Sequence, residues 1–343
     1  MSKVLVVSSL KDAHARNMCE VLNNRGVPNS LFSTDKYPYG SQITIVNESV
    51  VLRFNGKIIE LTEDWSIWDR RIFPPEFPKG FPPNLEEMVE EEAKRTIQGV
   101  MAIHRGLVVN NPFSNNAANN KIEQLQRARK IGLRVPDSLV TNDPEKARKF
   151  YKKHKGNIVF KLQKLPIVEE DGTYKTIFTN RVTPKDFAAN LPRVSNNPCY
   201  FQEHIRKAYE IRLTVIGERL FPIAIHSQGS DVSKDDFRRY DFKNVRYEAV
   251  DIPDGIRDKI LELTRQYELH YAAIDLIHTP AGEYIFLEVN PNGQYLWTEE
   301  LSKVKITDTF IDYLSGKVES RRFVHKWKRL NYKPKNYLMK QKN

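Results

Sequence analysis

The stretch that decides the fold reads Tyr271-Ala-Ala-Ile-Asp275-Leu-Ile277, then Thr279-Pro-Ala-Gly282, then Glu283-Tyr-Ile-Phe-Leu-Glu288-Val-Asn290. The outer segments alternate with a period of two residues and the middle one has turn chemistry, so the pattern predicts a β-hairpin. If the turn closes at Ala281 and Gly282, Asp275 lies directly opposite Glu288, with Cβ atoms roughly 5 Å apart. Asn290 then projects from the same side of the sheet.

Two carboxylates and one amide on a single strand face have the chemistry of a magnesium site. Carboxylate and amide oxygens suit hard cations, and Mg²⁺ uses few protein ligands while keeping waters and substrate phosphates. An isolated acidic pair more often lies on a solvent-exposed hairpin. Here an apolar opposite face favours a packed sheet and hence a fixed site, and a nucleotide is the expected partner. The residues expected on that apolar face are Ile274, Leu276, Ile285, Leu287 and Val289.

Composition limits the class of protein. A chain of 343 residues is long enough for two or three domains. It has no apolar run near the roughly 20 residues that a membrane helix requires, and its apolar Val4–Val7 stretch is too short for a secretory signal. The two cysteines, Cys19 and Cys199, are far apart, which argues against a disulfide framework or a zinc site. We therefore expect a cytoplasmic protein without a membrane partner.

The formal charge of +11 indicates a polyanionic partner, which could be a nucleotide, an acidic peptide or nucleic acid. Part of the excess lies in a C-terminal tail that begins at Arg321-Arg322 and mixes basic and aromatic residues. Such segments can bind single-stranded nucleic acid. A solvated terminal extension is the simpler interpretation of the tail, so nucleic acid is not the favoured partner.

The pattern along the chain predicts four regions. Residues 1–112 form an N-terminal α/β domain, 113–198 a small α+β lobe, 199–316 a lobe of strands with the hairpin, and 317–343 the basic tail. In the small lobe, one helix is expected from Ser114, with Ala118, Ile122, Leu125 and Ala128 at helical spacing. In the last lobe, strands are expected at 199–203, 209–216 and 219–225, and a final helix at 308–314.

The order of these motifs resembles the ATP-grasp fold over residues 111–316. The matching segments are Asn120-Lys121, Val159-Phe-Lys161, Phe201-Gln-Glu-His-Ile205, Glu210-Ile-Arg212, Asp275 and Glu288-Val-Asn290. Further segments are similar to the peptide-modifying ligases of the microviridin or graspetide type, namely Trp68-Asp-Arg-Arg71, Ile225-His-Ser-Gln228, Asp236-Phe-Arg238 and Phe286–Gln294. The resemblance implies an α/β (α+β) fold class, with a pre-ATP-grasp domain before the ATP-grasp fold.

The resemblance also implies roles for residues. Lys161 and Lys121 would contact the phosphates of ATP, Glu210 would bind the ribose, and Asp275, Glu288 and Asn290 would bind Mg²⁺. The link between the lobes would bind adenine through Gln202, Glu203, His204 and Ile205. Arg212 and Arg238, together with Lys161, would stabilise the transferring phosphoryl group. Arg239, Gln228 and Gln294 would line the substrate pocket.

The implied reaction is ATP-dependent carboxylate ligation. Asp or Glu side chains of a ribosomally made precursor peptide, with a leader and an acid-rich core, would become acyl phosphates. Thr or Ser hydroxyls or Lys amines would then form ester or amide cross-links. Leader recognition is expected near residues 185–197, with Asp186 as a contact, and a homodimer through the N-terminal domain.

Two alternatives stay open at this stage. The first is another ATP-grasp ligase, acting on free amino acids or adding residues to a protein tail. The second is a basic nucleic-acid-binding protein, for which the tail would be indispensable.

Overall fold

The computed structural model describes residues 2–163, 179–229 and 244–319, together with the backbone of 167–170 and 173–176. The elements of the N-terminal region are β1 (Lys3–Ser8), α1 (Ala13–Asn24), β2 (Asn29–Ser33), β3 (Ser41–Val46), β4 (Ser49–Phe54), β5 (Lys57–Glu60), β6 (Trp65–Asp69), α2 (Pro83–Ile103) and β7 (Val108–Val109). Four of these strands form a parallel sheet in the order β2-β1-β6-β7. Strands β3, β4 and β5 form a separate antiparallel sheet in that order.

The small lobe follows and is built on one antiparallel sheet. Its elements are α3 (Pro112–Ala118), α4 (Lys121–Lys130), β8 (Ser138–Thr141), α5 (Pro144–Lys153), β9 (Ile158–Lys161), β10 (Ile167–Glu170), β11 (Thr173–Thr176), β12 (Asn180–Arg181), α6 (Pro184–Asn190) and β13 (Cys199–Glu203). The sheet has the order β12-β9-β13-β8, and β10 and β11 form a separate hairpin.

The third region contains the hairpin that opened the sequence analysis. Its elements are β14 (Tyr209–Ile216), β15 (Arg219–Ile225), β16 (Tyr247–Ala249), α7 (Asp254–Gln266), β17 (Tyr271–His278), β18 (Tyr284–Asn290), α8 (Leu296–Ser302) and α9 (Ile306–Leu314). The strands form an antiparallel sheet in the order β16-β15-β14-β17-β18. Strands 199–203, 209–216 and 219–225 have the predicted bounds, and α9 confirms the predicted final helix.

The large sheet has one apolar face and one polar face. Ile211, Leu213 and Val215 of β14 join side chains from α4 and α7 in one buried cluster. Because alternate residues of a strand project to opposite faces, Glu210 and Arg212 lie on the other side. The apolar cluster therefore fixes which face of the sheet is available for chemistry.

The N-terminal domain packs against the large lobe mainly through α9. Phe310 of α9 contacts Trp68 of β6 and stacks on Tyr271 of β17, with ring centroids 5.2 Å and 5.1 Å away. Apolar residues of β1 and α1 belong to the same buried cluster. The edge of the parallel sheet is thereby held next to the start of β17.

Two expectations about local structure were wrong. The single helix expected from Ser114 is two helices, because the side chain of Asn120 caps a new helix by accepting from the amides of Ile122 and Glu123. Ile122 is 43% exposed and is not a core residue. Strand β2 and helix α8 were not anticipated, and within the described residues no helix combines the length and apolar content needed to cross a bilayer.

The hairpin also carries a β-bulge that alternation did not predict. Asp275 pairs with Glu288, but the next residue, Leu276, pairs with Phe286, so Leu287 is the extra residue. In the part of β18 between the turn and the bulge, each side chain therefore points to the face opposite to the one that simple alternation predicts. Phe286 and not Leu287 therefore joins the apolar cluster, and Ile285 lies buried on the opposite, polar face.

Candidate active site

Three rows of side chains cross the polar face of the large sheet. Their members are Glu210, Ile277 and Ile285 in the first row, Arg212, Asp275 and Glu288 in the second, and Thr214, Ala273 and Asn290 in the third. This register confirms that Asp275 faces Glu288 and that Asn290 follows on the same face. Consecutive rows are two residues apart along β14 and β17, which is about 7 Å.

The middle row is a chain of charges. Arg212 Nη1 donates to Asp275 Oδ1 at 2.8 Å, and both side chains are buried. Burial disfavours the Arg212 cation, but the charge of Asp275 and this hydrogen bond outweigh it, so the pKa of Arg212 is raised. Lys121 Nζ lies 2.8 Å from Glu288 Oε2, and Asn290 Nδ2 lies 3.3 Å from Glu288 Oε1.

Helix α4 explains why Lys121 reaches Glu288. Gln124 Oε1 accepts from the amide of Val289 at 3.0 Å, and Gln124 Nε2 donates to the carbonyl of Val289 at 2.9 Å. Gln124 therefore pairs with both backbone hydrogen-bonding groups of Val289 on the edge strand β18, and these bonds hold α4 beside the strand. Residues three apart share a helix face, so Lys121, in the first turn, is directed toward Glu288. Lys121 Nζ also lies 3.5 Å from the carbonyl of Leu162, just after Lys161 at the end of β9.

The donor set of the hairpin fits a divalent cation that keeps other ligands. Within the described ranges, no group of three or more His, Cys, Asp or Glu side chains could hold a metal ion by itself. Two carboxylates and one amide oxygen are the incomplete set that Mg²⁺ prefers when phosphates supply the remainder. Lys121 and Arg212 occupy the charge-balancing positions beside Glu288 and Asp275.

The segment after β18 is held by side chains that donate to four consecutive carbonyls. Asn110 donates to Pro291, Arg70 to Asn292, the Tyr271 hydroxyl to Gly293 and Arg212 to Gln294, at distances of 2.9, 2.8, 2.7 and 3.1 Å. Two of these donors belong to the N-terminal domain. The sequence singled out Gln294 for its side chain, whereas the structure shows its backbone carbonyl in contact with Arg212.

Gly293 lets this segment lie directly on the sheet. A Cβ atom at this position would stand 2.4 Å from the Cβ of Ala273 and 2.8 Å from Arg212 Nη2. Any side chain would therefore displace either the segment or Arg212. The small residue is required by close approach to β17.

Glu210 lies at the end of the polar face that is nearest the link between the lobes. It is buried and contacts Lys207 Nζ through Oε1 and the Ser227 hydroxyl through Oε2. Lys207 was not anticipated as a site residue. Its position three residues before an expected ribose-binding acid was the only available signal. Gln228, expected in the substrate pocket, is exposed and donates to Ser227 Oγ at 3.3 Å.

The link between the lobes runs from the end of β13 to β14. The Gln202 side chain is buried and donates to Ser138 Oγ and to the Tyr200 hydroxyl, both at 3.0 Å. Glu203 Oε2 accepts from the amide of Asp137 at 3.2 Å, and the amide of His204 donates to the carbonyl of Asn157. These hydrogen bonds hold the link against the small-lobe sheet, and Ile205 is half-buried within it.

Three other expected residues lie apart from the charged row or outside the described residues. Asp186 is exposed on α6, where it accepts a hydrogen bond from the hydroxyl of its N-cap residue, Thr183, at 2.6 Å. Arg238 and Arg239 lie outside the described residues.

A residue that the sequence did not single out joins the N-terminal domain to the segment after β18. His14 Nε2 accepts from the amides of Tyr295 and Leu296, both at 3.2 Å. Burial, together with the charge of Arg70, lowers the pKa of His14 to about 4, so the ring is neutral and free to accept. No local sequence pattern predicts a histidine contact with residues 280 positions later.

Arg70 lies beside His14 and is the largest fully buried side chain. Arg70 Nη2 lies 3.3 Å from Asp12 Oδ2, and Oδ1 of Asp12 caps α1. Together with the hydrogen bond from Arg70 to Asn292, this ion pair connects the start of α1 to the segment that follows β18.

Comparisons with known proteins agree with this architecture. A family model for the MvdD pre-ATP grasp domain matches residues 3–116, and one for the RimK-like ATP-grasp domain matches residues 118–314. The chain is similar to the macrocyclase MdnC from Microcystis aeruginosa MRC, solved with the precursor peptide MdnA, at 29% identity and a TM-score of 0.82, covering 92% of this chain and 100% of MdnC.

Two further solved structures are similar over almost the whole chain. One is a RiPP-associated ATP-grasp ligase from Chryseobacterium gregarium, in complex with ADP and a leader and core peptide, at 29% identity and a TM-score of 0.85, covering 94% of this chain and 99% of that one. The other is the macrocyclase MdnB from Microcystis aeruginosa MRC, at 26% identity and a TM-score of 0.71, covering 91% and 99%. Among curated proteins, none matches the chain.

Proposed function

This chain belongs to the RimK-like ATP-grasp family, and from that premise we propose that it cross-links a ribosomally made precursor peptide by activating side-chain carboxylates with ATP. It is an ATP-dependent ligase with a pre-ATP-grasp domain, as the sequence resemblance indicated. The products we propose are esters or amides between Asp or Glu side chains and Thr, Ser or Lys side chains, which close a macrocycle.

The observation that carries this proposal is the charged middle row on the polar face of the large sheet. Lys121 of the small lobe, Glu288 and Arg212 of the large lobe, and the buried partner Asp275 meet there. Alternating cations and carboxylates at a junction of two lobes match the requirements of a triphosphate with a divalent ion. A surface charge run would be exposed, whereas Arg212 and Asp275 are buried.

The nucleotide would run from the link toward the N-terminal domain. Residues 202–205 would bind adenine, Glu210 the ribose, and Lys121 and Lys161 the phosphates. Glu288, Asn290 and Asp275 would hold Mg²⁺, whose charge would offset that of the phosphates. The order agrees with the strand geometry, because Glu210 lies one row nearer the link than Arg212.

The chemistry requires positioning and charge stabilisation, and no protein nucleophile. A carboxylate oxygen of the peptide attacks the γ-phosphorus, the bond to the β-phosphate oxygen breaks, and ADP leaves. The hydroxyl or amine then attacks the acyl carbon and phosphate departs, so each cross-link removes the elements of one water from the peptide. Arg212 would donate to the transferring phosphoryl oxygens. Arg238 would add a second guanidinium.

The peptide nature of the substrate is supported by the comparisons and by charge. The structures of MdnC and of the Chryseobacterium gregarium ligase contain a precursor peptide, or a leader and a core peptide. A chain of formal charge +11 suits an acid-rich core. We propose that a leader segment binds near residues 185–197, with Asp186 as a contact, and that Gln228, Arg239 and Gln294 line the core pocket.

The proposal is tested by searching the open reading frames around the gene for one that encodes a short, Thr- and Glu-rich peptide. The encoded peptide, ATP, Mg²⁺ and the enzyme are incubated, and the peptide mass and the ADP formed are measured. We expect the peptide to lose the mass of one water per cross-link, with one ADP formed for each. Phosphorylated peptide without loss of water, or ADP formation independent of the peptide, would refute cross-linking. The Glu288→Gln variant serves as the inactive control.

A further inference from the structure

The carboxyl edge of the N-terminal parallel sheet is a second place where a ligand is expected. In the order β2-β1-β6-β7, the connection from β1 leads to β2 on one side, and the chain then returns to β6 on the other. The carboxyl ends of β1 and β6 therefore flank a topological switch point, where ligands of open α/β sheets bind. Asp69, Arg70 and Arg71 follow one another at the end of β6.

This edge opens toward the proposed reaction centre. Arg70 donates to the carbonyl of Asn292, and the Pro291–Gln294 segment lies on Ala273 and Arg212. The amides of Arg70 and Arg71 both approach the carbonyl of Val7 at the end of β1, at 3.1 and 3.4 Å. The edge consequently lies beyond Asn290. Along the rows of the polar face, this is the end that is farthest from the link between the lobes. A group that attacks the γ-phosphate in line with ADP departure must approach from that side.

The edge carries an excess of positive charge. The positive charges of Arg70, Arg71 and Arg212 all contribute, after burial, to the low pKa of His14. Asp12 is paired with Arg70 and Asp275 with Arg212. Burial raises the pKa of Asp69 to about 7, which removes much of its negative charge near neutral pH, and the buried carboxylate of Asp35 lies 3.8 Å from Lys11 Nζ.

Arg71 is the cation at this edge that has no acidic partner among the described residues. Lys11 and Lys36 both pair with Glu76, and Arg70 pairs with Asp12. Arg71 is exposed, and its guanidinium carbon lies 5.9 Å from the centroid of the Phe73 ring. Although the residue is exposed, partial burial of its side chain, with the charge of Arg70, lowers the pKa of Arg71, and the charge of Asp12 opposes this shift.

We propose that Arg71 binds the carboxylate of the acidic peptide side chain that the enzyme activates, at the carboxyl edge of the N-terminal sheet, next to the contact of Arg70 with the Pro291–Gln294 segment. The inference rests on the proposed function and assigns the peptide acid a site in the N-terminal domain. A guanidinium can hold a carboxylate through two parallel N–H donors. Arg71 is thus a specificity residue for acidic side chains, whereas the buried Arg70 holds the Pro291–Gln294 segment through its hydrogen bond to Asn292.

The test measures peptide and nucleotide binding separately. The probes are a fluorescein-labelled synthetic peptide of Glu and Thr residues, a matched peptide of Gln and Thr, and the nonhydrolysable analogue AMPPNP with Mg²⁺. Wild-type enzyme should bind the Glu peptide more tightly than the Gln peptide in the presence of AMPPNP. Arg71→Ala should weaken binding of the Glu peptide about tenfold, since a charge-assisted hydrogen-bonded contact is lost. Arg71→Lys should fall between the two.

Arg105→Ala is the matched control. Arg105 is an exposed arginine of the same domain, but it pairs with Glu48 and precedes β7, at the opposite, amino edge of the sheet. This variant should bind the Glu peptide as the wild type does. Melting temperatures of all variants should coincide, because Arg71 has no buried partner to lose.

The outcomes separate the inference from the proposed function. Unchanged Glu-peptide affinity in Arg71→Ala, or equal binding of the Glu and Gln peptides by the wild type, overturns the carboxylate site, while AMPPNP binding leaves the ligase function standing. Failure of the wild type to bind AMPPNP with Mg²⁺ overturns both. The inference is supported if Arg71→Ala binds the Glu peptide more weakly than the wild type does, while its affinities for the Gln peptide and for AMPPNP are unchanged.

Discussion

Asp275 and Glu288 face each other, but their surroundings give them different sensitivities to substitution. Asp275 is buried with Arg212, and removing one partner of a buried ion pair costs about 3–5 kcal/mol because the other charge is left uncompensated. Glu288 pairs with Lys121, whose side chain is partly exposed. Loss of activity in an Asp275 variant would therefore combine unfolding with loss of a proposed metal ligand, and Glu288 provides the cleaner test.

Glu288→Gln and Asn290→Ala are each expected to abolish peptide-dependent ADP formation. Both variants should keep the wild-type circular dichroism spectrum and melt within a few degrees of it, because neither leaves a deeply buried charge unpaired. Asp275→Ala should also be inactive but should melt at clearly lower temperature. Wild-type turnover in purified Glu288→Gln would count against the metal assignment.

Asp69 should make stability depend on pH. Burial, opposed by the hydrogen bond from Asn115 and by Arg70, raises the pKa of Asp69 from 3.8 to about 7 in the folded chain. The folded state thus binds more protons than the unfolded state between these values, and its stability falls as pH rises through this window. Below the unfolded pKa the favourable contribution is complete, and above pH 7 it is lost.

The Asp69→Asn variant tests this shift. The free energy of unfolding of the variant, relative to that of the wild type, should increase as the pH rises from about 4 to about 7. Above pH 7 this difference should stay constant. His14, with its lowered pKa, has the opposite effect on stability as pH falls, so the difference between variant and wild type is the informative quantity. Chemical denaturation at pH 5 and pH 8 measures it, and equal differences at both values would contradict the shift.

At the scale of elements, the Pro291–Gln294 segment connects the N-terminal domain to the end of β18. Arg70 and Asn110 hold the segment, which directly follows Glu288 and Asn290. Gly293→Ala is expected to displace this segment, because its Cβ would overlap Ala273 and Arg212. Overpacking of this kind costs about 1–3 kcal/mol. We expect a severe loss of peptide-dependent ADP formation and a lowered melting temperature. Gly99→Ala, in α2 with open space around it, is the matched control and should be neutral or stabilising.

The hairpin shows how far alternation predicts a sheet. The opposition of Asp275 and Glu288 follows from the turn and the period of two, and the register confirms it. The bulge at Leu287 does not follow, since it depends on which side chains fit beneath the sheet and against the backbone of Arg134, which bonds to Phe286. Likewise, the break between α3 and α4 depends on Asn120 acting as a cap, a signal that continuous helical spacing obscured.

For the whole molecule, motif order predicted the family and the fold class, and both are confirmed by the family models. The contacts between domains were not predictable. His14 and Arg70 reach residues near 292–296, and Asn110 reaches the start of β17, across more than 150 positions. The sequence around each of these residues does not indicate its partner, and only the assembled fold reveals it.

The basic tail should be dispensable for nucleotide chemistry. A chain ending at Gly316 retains β1 to α9, which contain every proposed nucleotide contact. We expect it to bind AMPPNP with Mg²⁺ as the full chain does, measured by calorimetry. Loss of AMPPNP binding on truncation would contradict this placement, and nucleic-acid binding that requires the tail would indicate an additional role for the chain.

The central claim is that Glu288 and Asn290 hold a divalent ion next to a triphosphate that lies between the two lobes. Crystals of the full chain grown with AMPPNP and Mn²⁺ test it most directly, because Mn²⁺ gives an anomalous signal and shares the oxygen preference of Mg²⁺. The predicted result is an anomalous peak at the Glu288 and Asn290 oxygens, with the phosphates extending toward Lys121 and Lys161. A peak elsewhere, with no nucleotide in the crevice, would contradict the account.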